Sequence, residues 1–370
     1  MAEHAAPPAR AATNPTSSIK PLQRRWQHIG VLRARHLGDL LCAIPALRAL
    51  RAAQPQARIT LLGLPWAREF VNRFPQYLDA LLVLPCGGDL DDDAALDLRA
   101  AQAVIAEQAF DLILQLHGDG SRSNALAARL CAAPVAGFHP ATQRPPSPWH
   151  LAWRRDEAEI PRWLRLMRSL GATQLDERLE WPIDDEDHAE CAQLLAAREV
   201  ESPYICVHAG ARLASRRWPL ERYAETVQAL SDDGWQIVLT GSSAEREHAE
   251  ALRSLLHDRR RTANLAGCTS LGALAALLAR ARLLIGNDTG VSHIAAAVAT
   301  PSVVVSCGCD AARRAPRDRQ LHQVLAVDMP CRPCAADDCP HEHRCATAID
   351  TATLLDTVRR TLCETRRHVA

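Results

Sequence analysis

Lysine is almost missing from this chain: Lys20 is the only one, although lysine and arginine together number 43. Nearly every cation is therefore a planar, permanently charged guanidinium, suited to bidentate contact with phosphate or carboxylate. An excess of one charge is missing too, because 43 acidic residues balance the 43 basic ones. That balance excludes the broad basic field on which nucleic-acid binding usually rests, so no nucleic-acid partner is expected. No apolar run approaches the ~20 residues of a membrane span, and residues 1–25 carry no apolar core of a secretory leader. No G-x-G-x-x-G follows the first apolar run and no G-x-x-x-x-G-K-[ST] occurs anywhere. Dinucleotide oxidoreductases and P-loop enzymes lose their main support. The thirteen cysteines are an odd number spread over the whole chain, which fits a reducing cytoplasm better than a disulfide framework.

What is present is a globular composition, 48% hydrophobic and 23% charged over 370 residues. At roughly 150 residues per domain this predicts two domains and a cleft between them. Residues 1–27, rich in Ala, Pro, Thr and Ser, read as a flexible arm. Short apolar runs at His28–Leu32, Arg58–Leu62, Ala80–Leu84 and Phe110–Leu116 read as strands, with Leu40, Ile44, Leu47 and Leu50 at helical spacing between the first two. Strand and helix in alternation predict a parallel sheet covered on both faces, in a first domain spanning 28–200. Pro145, Pro146 and Pro148 break this pattern beside Trp149, Trp153, Arg154 and Arg155. A second alternating series from Tyr204 to Val305 predicts another such domain over 201–348. Residues 349–370 hold an amphipathic helix, expected to pack back on the first domain. The fold class expected is α/β, with two Rossmann-like doubly wound domains facing across a cleft.

Parallel sheets bind ligands beyond the carboxyl ends of their strands, and three loops there carry chemistry. In His36-Leu37-Gly38-Asp39, after the first strand, Asp39 is either a general base at the cleft mouth or a helix cap. Pro45 requires the regular helix to start late or to kink. In Asn287-Asp288-Thr289-Gly290-Val291-Ser292-His293 the free amides of a helix start suit a diphosphate, and Gly290 allows close approach. Asp288 or Thr289 as a simple N-cap, and His293 as a core histidine, are the alternatives. In the loop from His208 to Pro219, Arg212, Arg216 and Arg217 would clamp a diphosphate or form a solvated basic loop. Asp89, Asp91, Asp92 and Asp93 suit a helix start rather than a metal. Cys331, Cys334, Cys339 and Cys345, with His341 and His343 among them, leave a zinc site or a local disulfide open.

Taken in order, Leu37-Gly38-Asp39 with Pro45-Ala46-Leu47, His208-Ala209-Gly210, Arg216-Arg217-Trp218-Pro219, Leu239-Thr240-Gly241, Leu265-Ala266-Gly267 and Asn287–His293 resemble glycosyltransferase family 9, the lipopolysaccharide heptosyltransferases. Ala295-Ala296 and Thr300-Pro301 continue the match, which runs from His28 to Leu362. The resemblance implies the GT-B fold and an inverting transfer without metal or other cofactor. It implies an ADP-heptose donor and a lipopolysaccharide-core or similar lipid-linked glycan acceptor, at the inner face of the cytoplasmic membrane. Asp39 matches the family's proposed base. Arg216 stands where the family usually has a lysine on the donor phosphates, and Thr289 with Gly290 match its phosphate-binding helix start. Asp288 matches an acid near the donor sugar and Glu245 one near the ribose, and Gly210 and His293 are placed with them in the donor site. The Pro-rich His139–His150 segment departs from the family where acceptors are read, so no acceptor-binding residue is assigned. Two rivals stay open: a nucleotide-sugar-binding module without catalysis, and a nucleotide-sugar epimerase on the same fold.

Overall fold

The computed structural model describes residues 19–366 apart from 86–95, 335 and 337–338. The acidic run Asp89, Asp91, Asp92 and Asp93 lies outside the described residues, as does most of the arm. Residues 19–27 are not part of a loose arm. Leu22 is buried in the core, and Gln54 donates to the carbonyls of Leu22 and Arg24. Folding therefore begins before His28, because a buried Leu and two satisfied carbonyls anchor the chain there.

The first domain contains the strands β1 (His28–Leu32), β2 (Arg58–Gly63), β3 (Ala80–Val83), β4 (Leu112–Gln115), β5 (Val135–His139) and β6 (His150–Ala152). They form one sheet in the order β3-β2-β1-β4-β5-β6, parallel throughout. The second domain repeats this with β7 (Tyr204–His208), β8 (Gln236–Leu239), β9 (Thr262–Asn264), β10 (Leu283–Asn287), β11 (Ser302–Val305) and β12 (His322–Leu325). Its order is β12-β11-β10-β7-β8-β9, again parallel. In both sheets the strand order reverses beside the opening strand, between β1 and β4 and between β7 and β10. The loops after β1, β7 and β10 thus leave from the points where such sheets open a crevice for ligands.

The central strands are apolar along their whole length because both faces are covered: all five residues of β1 and of β7 are buried. After β1 the chain makes the short helix Leu37–Leu41. It then breaks at Cys42–Ala43 and resumes as Ile44–Ala53, with Pro45 in the first turn, where a missing N–H costs nothing.

Two further assignments differ from the sequence reading. Helix Asp185–Ala196, assigned there to the first domain, packs on helix Leu271–Arg280 of the second, so the junction falls one helix before residue 200. Its Cys191 and Leu195 are buried, and its Asp187 pairs with Arg73 across the junction. The C-terminal helix Thr351–Arg366 does not return to the first domain. Its stripe of Leu354, Val358 and Leu362 is buried in the core of the second, and Arg359 pairs with Asp233 at 2.8 Å. The apolar face of this helix finds uncovered surface beside β11 and β12, and burying three such side chains there stabilises the fold by about 1.5–3 kcal/mol each.

Candidate active site

The carboxyl ends of the two sheets enclose a cleft of about 720 Å³ that brings together Asp39 and Gly38 from the first domain with Arg216, Glu245, Asp288, Thr289, Gly290 and His293 from the second. Seven of the eight residues singled out by the sequence line this space. Gly210 does not line it and sits beneath Glu245. A Cβ on Gly210 would fall 2.2 Å from Glu245 Oε1, so only glycine lets that carboxylate lie against the loop after β7.

Asp39 lies at the third position of helix Leu37–Leu41, whose N-cap is His36, so it is not the cap. Arg33 at the exit of β1 donates from Nε to the Asp39 carbonyl at 2.9 Å and from Nη1 to the Leu116 carbonyl, which fixes the loop to the sheet. The Asp39 carboxylate is paired at 3.3 Å with Arg314, a residue of the second domain. Burial pushes its proton affinity up, but Arg314, Arg33, Arg35 and His293 outweigh that and hold the carboxyl below its ordinary range. Asp39 is therefore ionised and able to accept a proton.

Opposite it, Thr289 occupies the N-cap position of helix Gly290–Ala297 without capping it, and its buried Oγ1 has no partner. A buried hydroxyl left unpaired costs about 1–3 kcal/mol. At a positive helix end facing the cleft, this hydroxyl and the adjoining amides can donate to an anion. Arg216 Nε is also buried without a partner. Arg212 lines the same cleft, whereas Arg217 turns away and donates to the Ala211 carbonyl at 2.8 Å. The three-arginine clamp is thus reduced to two.

Asp288 accepts from Ser306 Oγ at 3.1 Å, and Ser306 in turn accepts from Arg332 at 3.1 Å. Glu245 accepts from both the amide and the hydroxyl of Ser242 at 2.8 Å. Burial opposes its ionisation, yet His208, the Ser242 bonds and Arg217 keep its carboxyl below the usual range. His293 is buried with Nδ1 3.7 Å from Cys42 Sγ. Burial, with Arg314 nearby, pushes its ring down against the pull of Asp288 and Asp39.

Asn287 holds these loops together. Its Oδ1 accepts from the Trp218 amide at 2.9 Å and the Tyr223 hydroxyl at 3.0 Å. Its Nδ2 donates to the carbonyls of Ala209 and Gly210 at 2.7 and 3.1 Å. The sequence reading placed Asn287 in a motif without this role, and it missed Arg33 and Arg314 entirely. Arg33 directly follows an apolar strand and so could have been found, whereas Arg314 carries no local signal.

One other expectation concerns residues away from the cleft. Cys331, Cys334, Cys339 and Cys345 line one cavity of about 290 Å³, but their thiols are free of disulfides. Among the described residues no three His, Cys, Asp or Glu side chains are grouped to hold an ion, and His343 is engaged with the Ser215 carbonyl at 2.7 Å. Trp153 packs edge-on against Phe138 and Trp163 beneath the Arg162 guanidinium at 3.9 Å, and Trp149 packs against Trp26. Among the described residues no helix is long and apolar enough to cross a membrane.

Residues 98–344 match the family model described as glycosyltransferase family 9 (heptosyltransferase). The chain is 27% identical over 293 residues to lipopolysaccharide heptosyltransferase 2 of Escherichia coli, covering 73% of this chain and 79% of that one. It superposes on a glycosyltransferase family 9 structure from Veillonella parvula with a TM-score of 0.74 at 21% identity, over 92% of this chain and 98% of the other. The structure of the E. coli ADP-heptose heptosyltransferase II gives a TM-score of 0.71 at 21% identity, over 92% and 100%. With two six-stranded Rossmann-like sheets and a cleft between them, the chain is a GT-B glycosyltransferase and belongs to family 9, the heptosyltransferases.

Proposed function

We propose that this protein transfers heptose from ADP-heptose to a sugar hydroxyl of the lipopolysaccharide core, inverting the anomeric carbon and using no metal, at the cytoplasmic side of the inner membrane. The observation that carries this reading is the juxtaposition across one cleft of an ionised Asp39 with the unpartnered Thr289 hydroxyl, the helix start at Gly290 and Arg216. Asp39 takes the acceptor's proton as the hydroxyl attacks the anomeric carbon, and ADP leaves from the opposite face. Negative charge then grows on the diphosphate, where Arg216 and the amides at Thr289 and Gly290 meet it. A guanidinium and a helix end supply the positive charge that other transferases draw from a cation. The ADP-heptose donor is supported by the name of the E. coli enzyme on which the chain superposes, and the core acceptor by that of the E. coli relative.

The test has two parts. Calorimetry with ADP, GDP and UDP in EDTA should show ADP bound tightly by the wild type and about tenfold or more weaker by Arg216→Ala, the scale of a lost charge-assisted contact. Asp39→Asn should retain ADP binding but lose about 100- to 10,000-fold in acceptor-dependent ADP release. ADP release without acceptor would favour the epimerase reading, and ADP binding indifferent to Arg216 would sink the donor-site assignment.

A further inference from the structure

The segment after β11 crosses the domain junction by charge. Arg313 pairs with the buried Glu159, Arg314 lies 3.3 Å from Asp39 Oδ1, and Arg317 lies 3.0 Å from Glu177. All three bases belong to the second domain and all three acids to the first. Asp310 fixes the start of the segment by capping the Arg313 amide at 3.1 Å. Just before it, a Cβ on Gly308 would stand 3.2 Å from the Ser215 carbonyl and 3.8 Å from Arg216 Cγ. One end of the segment thus touches the donor-side arginine loop while the other reaches the base.

Resting on the reading of Asp39 as the base, we propose that Arg314 is its positioning residue: supplied by the donor domain, it grips Oδ1 and turns the second oxygen to the acceptor hydroxyl, so that the base is set only when the domains are together. Arg33 cannot take this role, because its guanidinium is committed to the carbonyls of Asp39 and Leu116. The charged groups that face Asp39 are Arg33 and Arg35 from the exit of β1, His293 from helix Gly290–Ala297, and Arg314 from helix Ala311–Arg314. Glu159 and Asp288 act in turn on Arg314 and His293. Arg314 is the strongest of the charges opposing protonation of Asp39. Removing it raises the pH at which the base is lost.

The measurement is the pH profile of kcat/KM for acceptor at saturating donor, for the wild type, Arg314→Gln, Arg314→Lys and Asp39→Asn, with ADP affinity alongside. Arg314→Gln should move the acid limb up by about one pH unit, the low end for an opposite charge at this distance. It should lower kcat/KM on the plateau about tenfold through lost alignment. Arg314→Lys should return the limb toward its wild-type position, and ADP affinity should stay within about threefold, because the donor residues are untouched. A merely structural role would lower the rate without moving the limb. An unmoved limb in Arg314→Gln, with Asp39→Asn inactive, overturns this inference and leaves the base assignment standing. An Asp39→Asn variant that turns over normally overturns the base assignment itself.

Discussion

At the scale of single residues the site depends on two that lie behind the lining of the cleft. Asn287 is wholly buried and satisfies two donors and two carbonyls on the loop after β7. Asn287→Ala leaves the Trp218 amide and the Ala209 carbonyl unpaired in the interior, so it should cost about 2–4 kcal/mol in urea unfolding. It should also loosen ADP binding, because Arg216 and Gly210 lie on the loop it holds. Gly210 fails differently: Gly210→Ala puts a methyl into the Glu245 carboxylate. Glu245 is held at its far end by Ser242 and must swing into the cleft, so ADP affinity should fall while the melting temperature changes little. A variant that bound ADP as the wild type does would remove Glu245 from the donor site.

At the scale of elements, legibility followed burial. The central strands β1, β4, β7, β10 and β11 stand out as short apolar runs because both faces are covered, and the sequence places each within two or three residues. The strands it missed are mostly edges: β6, β9 and β12 close their sheets, are half-exposed, and carry His150, Asn264 and Gln323, so no apolar run marks them. β5 was hidden by Gly137, where any side chain would meet Gln115. The three cleft loops were legible because their chemistry is local to a strand end. Arg314 was not, because its partner comes from the other domain. One edge pairing has a thermodynamic signature. His322 opens β12 with Nδ1 2.9 Å from Ser302 Oγ, and burial pushes its ring down to about 4. Unfolded, it takes a proton below about 6.5. Stability should therefore fall as pH drops through the window between those values, by about 2 kcal/mol at pH 5. Urea unfolding of the wild type and His322→Gln at pH 7 and pH 5 checks this, since the loss on acidification should be smaller in the variant.

At the scale of the molecule, the proposed base and the residues proposed to hold the donor come from two different halves that face each other across the cleft. Helix Leu37–Leu41 of the first domain faces helix Gly290–Ala297 of the second. A Cβ on Gly38 would lie 2.9 Å from His293 Cδ2 and 3.3 Å from Gly290 Cα. The Gly290 backbone cannot swing aside as a side chain can, so a branched side chain at position 38 should wedge the halves apart. The residues proposed to hold the donor all lie within the second domain and should be spared, whereas Asp39 should move away from them. Because a misplacement of about 1 Å can cost about 100-fold, Gly38→Val should lower acceptor-dependent turnover on that scale with ADP affinity nearly unchanged. The same wedge should separate Arg314 from Asp39, so the residual activity should carry the raised acid limb expected of Arg314→Gln. If Gly38→Val lost turnover but kept the wild-type limb, the charge on Asp39 would be set within the first domain, and closure would serve only to bring donor and acceptor together.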